Sequence, residues 1–349
     1  MTSDRAASNL EGPGRDTSSR FGAATDMQAA GARRVTRYVL SRIAQAGAVL
    51  WLSYTVTFVA IALLPSNPID ILAADDSGVI DAKTVAEMKV YYGYDHGIVG
   101  RYFIELRHVV QGDLGYSMST GQTVMQAIGD AAPPTLRLAV IAFSAAMLIA
   151  ALVVGTASLG RWLWLRDVAV LLPPVFAAAP VFWVGILVLN ILSFQWHVIS
   201  VFPDGSFLSI LVPAIVLALP LSAAFAQALL KSVDTVYASD FVDVVRAKGA
   251  GPFRVFFRHV VRNAAAPGLT VAGNILGTLV GGTVVTETVF ARAGVGRVLQ
   301  TAVSQQDTSL VQGFILIIAG VYVVVNLHID LLYPALDPRI LLTPGTTRA

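Results

Sequence analysis

The amino-acid sequence predicts an all-α integral membrane protein, and three observations carry this prediction. Hydrophobic residues make up 55% of the 349 residues and charged residues only 13%, which is about half the charged share of a soluble domain. The mean hydropathy is +0.69. Six long stretches contain no Asp, Glu, Lys or Arg, and about 20 apolar residues in a helix are enough to cross a bilayer.

The six charge-free stretches are the predicted membrane spans. The third is longer than one span, so its apolar part, Val168–Phe194, is predicted to form one helix followed by a loop. The fifth is rich in Gly and Thr, and we expect it inside the bundle because small residues let helices approach closely. The six stretches are Ile43–Ile69, Leu138–Gly160, Val168–Pro203, Gly205–Leu230, Asn263–Thr286 and Thr308–Ile329.

The distribution of Lys and Arg predicts the orientation of these spans. If both termini are cytoplasmic, 17 of the 24 Lys and Arg residues lie on the inner side and 7 on the outer side, as the positive-inside rule favours. The predicted organisation is a disordered cytoplasmic tail (1–32), the first span with its basic flank (33–65), an extracytoplasmic segment (66–135), a five-helix core (136–341) and a short cytoplasmic tail (342–349).

The extracytoplasmic segment, residues 66–135, contains nine acidic and four basic residues. Apolar residues recur at helical spacing between Ile98 and Val110 and predict an amphipathic helix, which the glycines of Gly112–Gly115 end. A second short helix is expected at Thr123–Ile128. A structured loop of this length is usually functional, and the alternative is a lid that only shields helix ends.

The cytoplasmic loop, residues 231–262, is predicted to form two helices around a glycine corner. The first helix covers Val233–Lys248 with Ser232 as N-cap and Gly249 as its stop, and the second covers Phe253–Arg262 after a Gly-Pro turn. The loop carries six basic and three acidic side chains interleaved with Phe and Val. This pattern predicts docking into the groove of a partner protein; the alternative is an interfacial helix on lipid head groups.

The sequence contains no signature of catalysis or of phosphate binding. It has no phosphate loop, no H-E-x-x-H and no G-x-S-x-G, and its five His residues are scattered. The absence of Cys excludes thiol chemistry, and the small net charge of +2 argues against a nucleic-acid partner. We therefore expect neither a catalytic residue, nor a metal site, nor a cofactor on this chain.

Polar residues within the predicted spans are candidates for a translocation path, because polar groups in a membrane face the protein interior and are often functional. The candidates are Gln227, Asn274 and Asn326. His328 and Asp330 could instead form an ion relay or hydrogen-bond a neighbouring helix.

Several motifs resemble the dipeptide/oligopeptide/nickel family of bacterial ABC-transporter permeases. The cytoplasmic loop resembles the EAA loop of such permeases, although Asp243 stands in place of the leading Glu and two Val in place of the two Ala. The outer motifs Gly112–Ser117 and Pro134–Leu136 resemble the B-type subunit of that family. The remaining motifs are Phe241–Gly249, Arg258–Asn263, Gly281–Phe290, Gly294–Gly296 and Asp330–Arg339.

This resemblance implies an ABC importer permease fold in the bacterial plasma membrane and a transport subunit rather than an enzyme. It implies a C-type permease partner, two ABC ATPase subunits that bind ATP and Mg²⁺, and an extracytoplasmic solute-binding protein. The family imports short peptides, nickel and related solutes. The residues implied in coupling to the ATPase are Asp243, Arg246, Ala247, Lys248, Gly249, Phe253 and Phe256.

Two other classes of function remain open from the residues alone. An ion-coupled secondary transporter would act without an ATPase, and the few ionisable residues in the spans argue against it. A membrane-anchored scaffold would transport nothing. Among importers, the sequence favours short peptides as substrate and leaves nickel or another small solute as the alternative.

Overall fold

A computed structural model describes residues 17–63, 82–202 and 204–336, and these ranges are almost entirely helical. The chain divides into two units, residues 1–49 and 50–349. Helix α1 (Thr17–Ala62) accounts for the described part of the first unit and opens the second. The α-helices that follow are α2 (Ala82–Tyr91), α3 (Gly97–Val110), α4 (Val124–Leu159), α5 (Leu163–Ala178), α6 (Val181–Leu189), α7 (Leu208–Tyr237), α8 (Asp240–Ala247), α9 (Pro252–Arg254), α10 (Val261–Val289), α11 (Val295–Ser304) and α12 (Thr308–Leu336). Two short π-helices, Asn190–Gln195 and Val255–Val260, follow α6 and α9.

Four helices are long and apolar enough to cross a membrane, and they correspond to the first, second, fourth and sixth predicted spans. The fifth predicted span lies in α10, which does not meet the same criterion over the described residues. The all-helical membrane fold is thus confirmed, whereas the described residues give four spans, or five if the bent pair α5–α6 is one span. The four are Val39–Ala62, Val124–Leu159, Leu208–Tyr237 and Thr308–Leu327.

The third predicted span differs from the expectation of one helix over Val168–Phe194. α5 and the segment Val181–Gln195 meet at a bend of 98°. Pro180 caps α6 in an extended conformation, and Ala179 before it is extended too. A proline lacks the amide hydrogen that would continue the helix, and it disfavours helical geometry in the residue before it. The single-helix prediction was wrong for this reason.

Two other predicted boundaries shift, and one predicted helix is confirmed. α1 begins at Thr17, so the part of the predicted disordered tail that the structure describes, residues 17–32, is helical; alanine is frequent there and is the best helix former. The short helix expected at Thr123–Ile128 is the first part of α4, for which Thr123 is the N-cap in a capping box with Gln126. The amphipathic helix expected from Ile98 to Val110 is confirmed as α3.

The centre of the bundle is the contact between α4 and α7. Leu138, Ala142, Ala146 and Ala150 follow one another at four-residue spacing on α4, and all four are fully buried. Residues four apart lie on one face of a helix, and α7 presents Ala214, Leu217, Ala218 and Leu221 against this face together with Ile275 and Leu279 of α10. The small side chains bring the helix axes close, as expected for packing inside a membrane.

Candidate functional site

We define the corner as residues 238–262, which connect α7 to α10 and include the first two residues of α10. α7 continues to Tyr237, seven residues beyond the predicted span. The chain then turns at Ala238–Ser239, so the next helix begins at Asp240 and not at the predicted position after Ser232. Asp240 and Asp243 lie in the first turn of α8, where negative charge is favoured by the helix dipole.

Gly249 reverses the chain after α8. Its φ angle is +82°, which lies in the left-handed region that costs an L-residue with a side chain about 1–2 kcal/mol. Its amide donates to the carbonyl of Arg246 at 2.9 Å, and the amide of Ala250 donates to that of Val245 at 3.4 Å. The predicted helix stop at Gly249 is therefore confirmed. Pro252 then opens α9 in its first turn, as expected for a residue without an amide hydrogen.

The inner side of the corner is part of the bundle core. Val242, Val255, Phe256 and Val260 are at most 4% exposed. They pack in one cluster with residues of α7 and α4, among them Ala226, Val233, Ala150, Val153 and Val154. Burial of a Val or Phe side chain contributes about 1.5–3 kcal/mol. Val242 of α8 therefore belongs to the same buried cluster as residues of α4 and α7, and this cluster connects α8 to the bundle.

The outer side of the corner is open. Asp243, Arg246, Ala247, Lys248 and Gly249 are all exposed, and the neighbouring apolar side chains are exposed as well. The exposed apolar residues are Phe241 (40%), Val244 (54%) and Phe253 (66%).

The structure therefore brings six of the seven predicted coupling residues to one exposed loop. Phe256 is the exception, because it is 4% exposed and points into the core. It anchors α8 and offers no surface to a partner. Sequence alone does not separate Phe256 from Phe253, since both follow Pro252 within four residues and only their packing differs.

Few bonds inside the chain satisfy the charges on this outer side. Arg246 Nη1 lies 3.6 Å from Asp243 Oδ1, and both side chains are more than half exposed. The Arg246 guanidinium also lies over the Tyr237 ring, 5.5 Å from its centroid. Exposed pairs of this kind contribute about 0–1 kcal/mol, so the charges remain available to a partner.

Two recesses border the corner. One, of ≈ 770 Å³, opens between the α4–α5 turn, the end of α7 and the corner, and Arg166, Asp167, Asp234, Tyr237 and Arg246 contribute its polar lining. The other, of ≈ 540 Å³, is lined by Val245, Lys248, Ala250, Arg254, Arg258 and His259. The first carries both signs of charge, whereas the lining of the second contains only basic charged groups.

The candidate path residues are not gathered into one cavity by the described residues. Gln227 is exposed on α7. Asn326 is partly buried on α12, and its side-chain amide donates to the carbonyl of Tyr322 in the same helix at 2.8 Å. Asn274 lies on α10, and the side chains of Asn274, His328 and Asp330 lie outside the described part.

At the opposite end of the bundle, Asp307 is 1% exposed and accepts several hydrogen bonds. The hydroxyls of Ser117 and Ser119 donate to Oδ2 at 2.6 and 2.9 Å. The Ser119 amide donates to the same oxygen at 3.0 Å, and the Leu310 amide donates to Oδ1 at 3.2 Å. Asp307 thus holds Ser117 and Ser119 against the first turn of α12.

A second buried acid, Glu287, lies at the end of α10 and is 0% exposed. The Thr135 hydroxyl donates to Oε1 at 2.6 Å, and the Gly296 amide donates to Oε2 at 2.7 Å. Thr135 in turn accepts from the Val295 amide at 2.8 Å. A Cβ on Gly294 would lie 2.2 Å from the Glu287 carboxylate. Glu287 therefore fixes the loop before α11 to α4, and that loop requires glycine at 294.

A third charged residue, Glu105, lies on α3 and is 9% exposed. Its Oε1 is 2.6 Å from Arg101 Nε, and the Arg101 guanidinium lies 3.9 Å from the centroid of the Tyr94 ring. Burial raises the pKa of Glu105, and the attraction of Arg101 opposes this. The polar side of α3 thus faces the protein, while Val99, Phe103 and Val110 are exposed.

Sequence reasoning did not single out Asp307 and Glu287 as organising residues. A usable signal was present, because each is the first charged residue outside a charge-free stretch. Glu287 follows Asn263–Thr286 directly, and Asp307 directly precedes Thr308–Ile329.

Comparison with known proteins gives one family. The model of the family "binding-protein-dependent transport system inner membrane component" matches residues 147–342. A putative peptide transport system permease protein of Brucella abortus (strain 2308) is 32% identical over 317 residues, which are 88% of this chain and 99% of the relative.

Two further relatives are also named as transport permeases, and one solved structure is similar to part of the chain. A glutathione transport system permease protein of Salmonella typhi is 28% identical over 87% of this chain and 98% of its own length. A dipeptide transport system permease protein of Alkalihalophilus pseudofirmus is 28% identical over 82% and 93%. A crystal structure of an amino acid ABC transporter with histidines has a TM-score of 0.46 at 18% identity and covers 62% of this chain and 94% of its own.

Proposed function

The chain belongs to the family of binding-protein-dependent transport system inner membrane components, and from this premise we propose that it is the B-type permease subunit of an ATP-driven importer of short peptides. It is a multi-pass membrane protein and a transport subunit of an ABC transporter, so the resemblance inferred from its motifs is confirmed at that level. The proposal adds the substrate, the partners and the orientation.

The corner carries this proposal. Its inner residues Val242, Val255 and Phe256 belong to the bundle core, whereas Asp243, Arg246 and Lys248 are exposed and little satisfied within the chain. Because its exposed side is joined to buried core residues, the corner can bind a partner and transmit the partner's movement to the bundle. We assign the role of partner to an ABC ATPase subunit, of which the complex contains two, with ATP and Mg²⁺ bound there and not on this chain.

The transport cycle then consists of rigid-body movement. Closure of the ATPases on ATP moves the corner. The buried cluster that Val242, Val255 and Phe256 share with α4 and α7 carries this displacement into the bundle, alternating access to a central path between this chain and a C-type permease. Two states can be driven apart only where contacts differ between them, and the exposed side of the corner provides such contacts. Gln227, Asn274 and Asn326 stay candidates for the path.

Short peptides are the proposed substrate because similar permeases are named for peptide, dipeptide and glutathione transport. Nickel or another small solute is the second candidate within the same family. The proposed orientation places both termini and the corner in the cytoplasm of a bacterial plasma membrane, since 17 of the 24 Lys and Arg residues then lie inside. The segment 66–135 then faces the solute-binding protein.

Gly249 provides the sharpest test of coupling. Gly249→Val forces a β-branched side chain into a positive φ, whereas Gly251→Val is a matched control two residues away, because Gly251 has φ −68° and open space at its Cβ. In the reconstituted transporter we expect G249V to lose peptide uptake and substrate-stimulated ATP hydrolysis while G251V retains both. Normal coupling in G249V would contradict the role of the corner.

Cross-linking tests the partner directly. The chain contains no Cys, so Arg246→Cys and Lys248→Cys each introduce one thiol. We expect cross-links from both positions to an ATPase subunit, and adducts to lipid alone would favour an interfacial helix. Uptake by the purified chain under an ion gradient without ATP would instead identify a secondary transporter.

A further inference from the structure

The second half of the corner carries two exposed ridges that run side by side. Phe253, Phe257 and Val261 follow at four-residue spacing and are 66%, 63% and 37% exposed. Arg254, Arg258 and Arg262 follow at the same spacing, one residue later, and all three are exposed. Val255–Val260 are π-helical and join α9 to α10. Residues four apart stay close to one another around the axis of such a helix, so an apolar ridge and a basic ridge lie next to each other.

Both ridges point away from the bundle, because Val255, Phe256 and Val260 between them are buried in its core. The basic ridge borders the ≈ 540 Å³ recess, to which Lys248 and His259 add two further nitrogen groups. No acidic side chain lines this recess, and no ion pair satisfies Arg254, Arg258 or Lys248 within the described residues. The surface therefore has an unbalanced positive charge.

The position of the ridges along the chain indicates how far they lie from the membrane surface. Val261 and Arg262 are the first residues of α10, which continues into the predicted span Asn263–Thr286. Arg254 precedes Asn263 by nine residues, which is at most about 14 Å along a helix. Both ridges thus lie within reach of the membrane surface from which α10 enters the bilayer.

We propose that this surface, formed by Arg254, Arg258 and Arg262 with Phe257 and Val261, binds the phosphate head groups of anionic phospholipids in the cytoplasmic leaflet. A guanidinium can donate two hydrogen bonds to one phosphate. Phe257 and Val261 enter the boundary between head groups and acyl chains, as the apolar face of an interfacial helix does.

This inference rests on the proposed orientation of the permease and divides the corner into two surfaces. α8 carries Asp240, Asp243 and Arg246, and this mixture of signs suits a protein partner. Phe253 stays with this coupling surface. Beyond Phe253 the ridges carry only positive charge beside apolar side chains, which suits an anionic lipid surface. Lipid held there would fix the second half of the corner at the membrane while the ATPase moves α8.

The test uses the complete transporter, purified and exchanged into nanodiscs of phosphatidylcholine with or without phosphatidylglycerol, with retained lipid counted by mass spectrometry. The test variant is Arg254→Gln combined with Arg258→Gln. The matched control is Arg161→Gln combined with Lys231→Gln, which removes two exposed charges from the same predicted side. Arg254→Lys with Arg258→Lys retains the charge and controls for folding.

We expect the wild type to retain phosphatidylglycerol in preference to phosphatidylcholine, and R254Q/R258Q to lose about thirtyfold in apparent affinity, since each basic residue near an anionic surface contributes about fivefold. The R161Q/K231Q control and the lysine variant should keep the preference. Inorganic phosphate added at millimolar concentration should not displace the lipid, because the acyl chains contribute to binding.

Three outcomes would overturn the inference. They are an equal loss in R161Q/K231Q, displacement of the lipid by inorganic phosphate, and a photoreactive amino acid at position 257 that cross-links to an ATPase subunit instead of lipid. The last outcome would assign these ridges to the protein interface. Lipid preference is measured without ATP and does not depend on transport. A transporter that fails to couple uptake to ATP would therefore contradict the proposed function but not the binding of anionic lipid.

Discussion

Asp307 and Glu287 at one end of the bundle can be compared with Asp243 and Arg246 at the other. The two buried acids are at most 1% exposed. They accept hydrogen bonds of 2.6–3.0 Å from Ser117, Ser119 and Thr135, which lie 152 to 190 residues away in sequence. Asp243 and Arg246 are more than half exposed and lie 3.6 Å from each other, and within the described residues the only other interaction of their side chains is that of Arg246 with the Tyr237 ring. One end satisfies its charges inside the chain, and the other leaves them on the surface.

The difference shows which end is fixed by contacts within the chain and which end leaves its charges on the surface, where we propose that a partner binds. A buried carboxylate with its donors in place fixes the elements that supply those donors, since breaking the set leaves polar groups unsatisfied. An exposed pair stabilises the fold little. Substitutions at the two ends should therefore separate stability from coupling, and the following predictions run from the largest expected effect on stability to the smallest.

Asp307→Ala should have the largest effect. It leaves the buried Ser117 hydroxyl and the Ser119 amide without their acceptor and removes the contact to the start of α12. At about 1–3 kcal/mol for each unsatisfied buried group, we expect a loss of at least about 3 kcal/mol, measured by thermal unfolding in detergent. As a control, Asp204→Ala removes an exposed aspartate that accepts a hydrogen bond from the Ser206 amide. An equal loss of stability in this control would contradict the role of Asp307 in holding Ser117 and Ser119 against α12.

Glu287→Gln should have the next largest effect. The amide replaces one acceptor oxygen with a donor that must face either the Thr135 hydroxyl or the Gly296 amide. We expect a loss of about 2 kcal/mol in the same unfolding measurement. Glu87→Gln on α2, whose carboxylate is mostly exposed beside Lys83, should change little. Unchanged unfolding of E287Q would show that this carboxylate does not fix the loop before α11.

Glu105 should contribute a smaller effect that depends on pH. Burial raises the pKa of Glu105 in the folded protein, whereas an unfolded Glu has a pKa of about 4.3. The folded state therefore binds the proton more tightly, and its stability is highest below the unfolded pKa and falls as pH rises through the folded one. Relative to Glu105→Gln, the wild type should lose stability as pH rises above about 4.3; parallel profiles of the two proteins would rule this out.

Asp243→Ala combined with Arg246→Ala should have the smallest effect on stability, within about 0.5 kcal/mol, because both side chains are exposed. Uptake and ATPase co-purification should nevertheless decrease. If unfolding shifts as much as in D307A while the ATPase still co-purifies, the contrast between the two ends of the bundle is wrong.

Much of the fold could be predicted because the bilayer imposes a local rule. A charge-free stretch must be helical wherever it lies in hydrocarbon, and Leu138–Gly160, Gly205–Leu230 and Thr308–Ile329 all lie in long helices. Gly249 was predictable as a helix stop since glycine tolerates positive φ. The sequence indicates that Pro173, Pro174, Pro180, Pro213 and Pro220 can all kink the third and fourth predicted spans. It does not show that only Pro180 ends a helix, since α5 and α7 continue through the other four.

The sequence by itself determined that this chain is helical and membrane-embedded, where its glycine corner lies, and to which family it belongs, because these depend on composition and short motifs. Only the tertiary structure decided that Phe256 is an anchor while Phe253 is a surface, and that Asp307 and Glu287 are buried. The physical reason is that burial depends on neighbours far along the chain: Ser117 is 190 residues from Asp307, and Thr135 is 152 residues from Glu287.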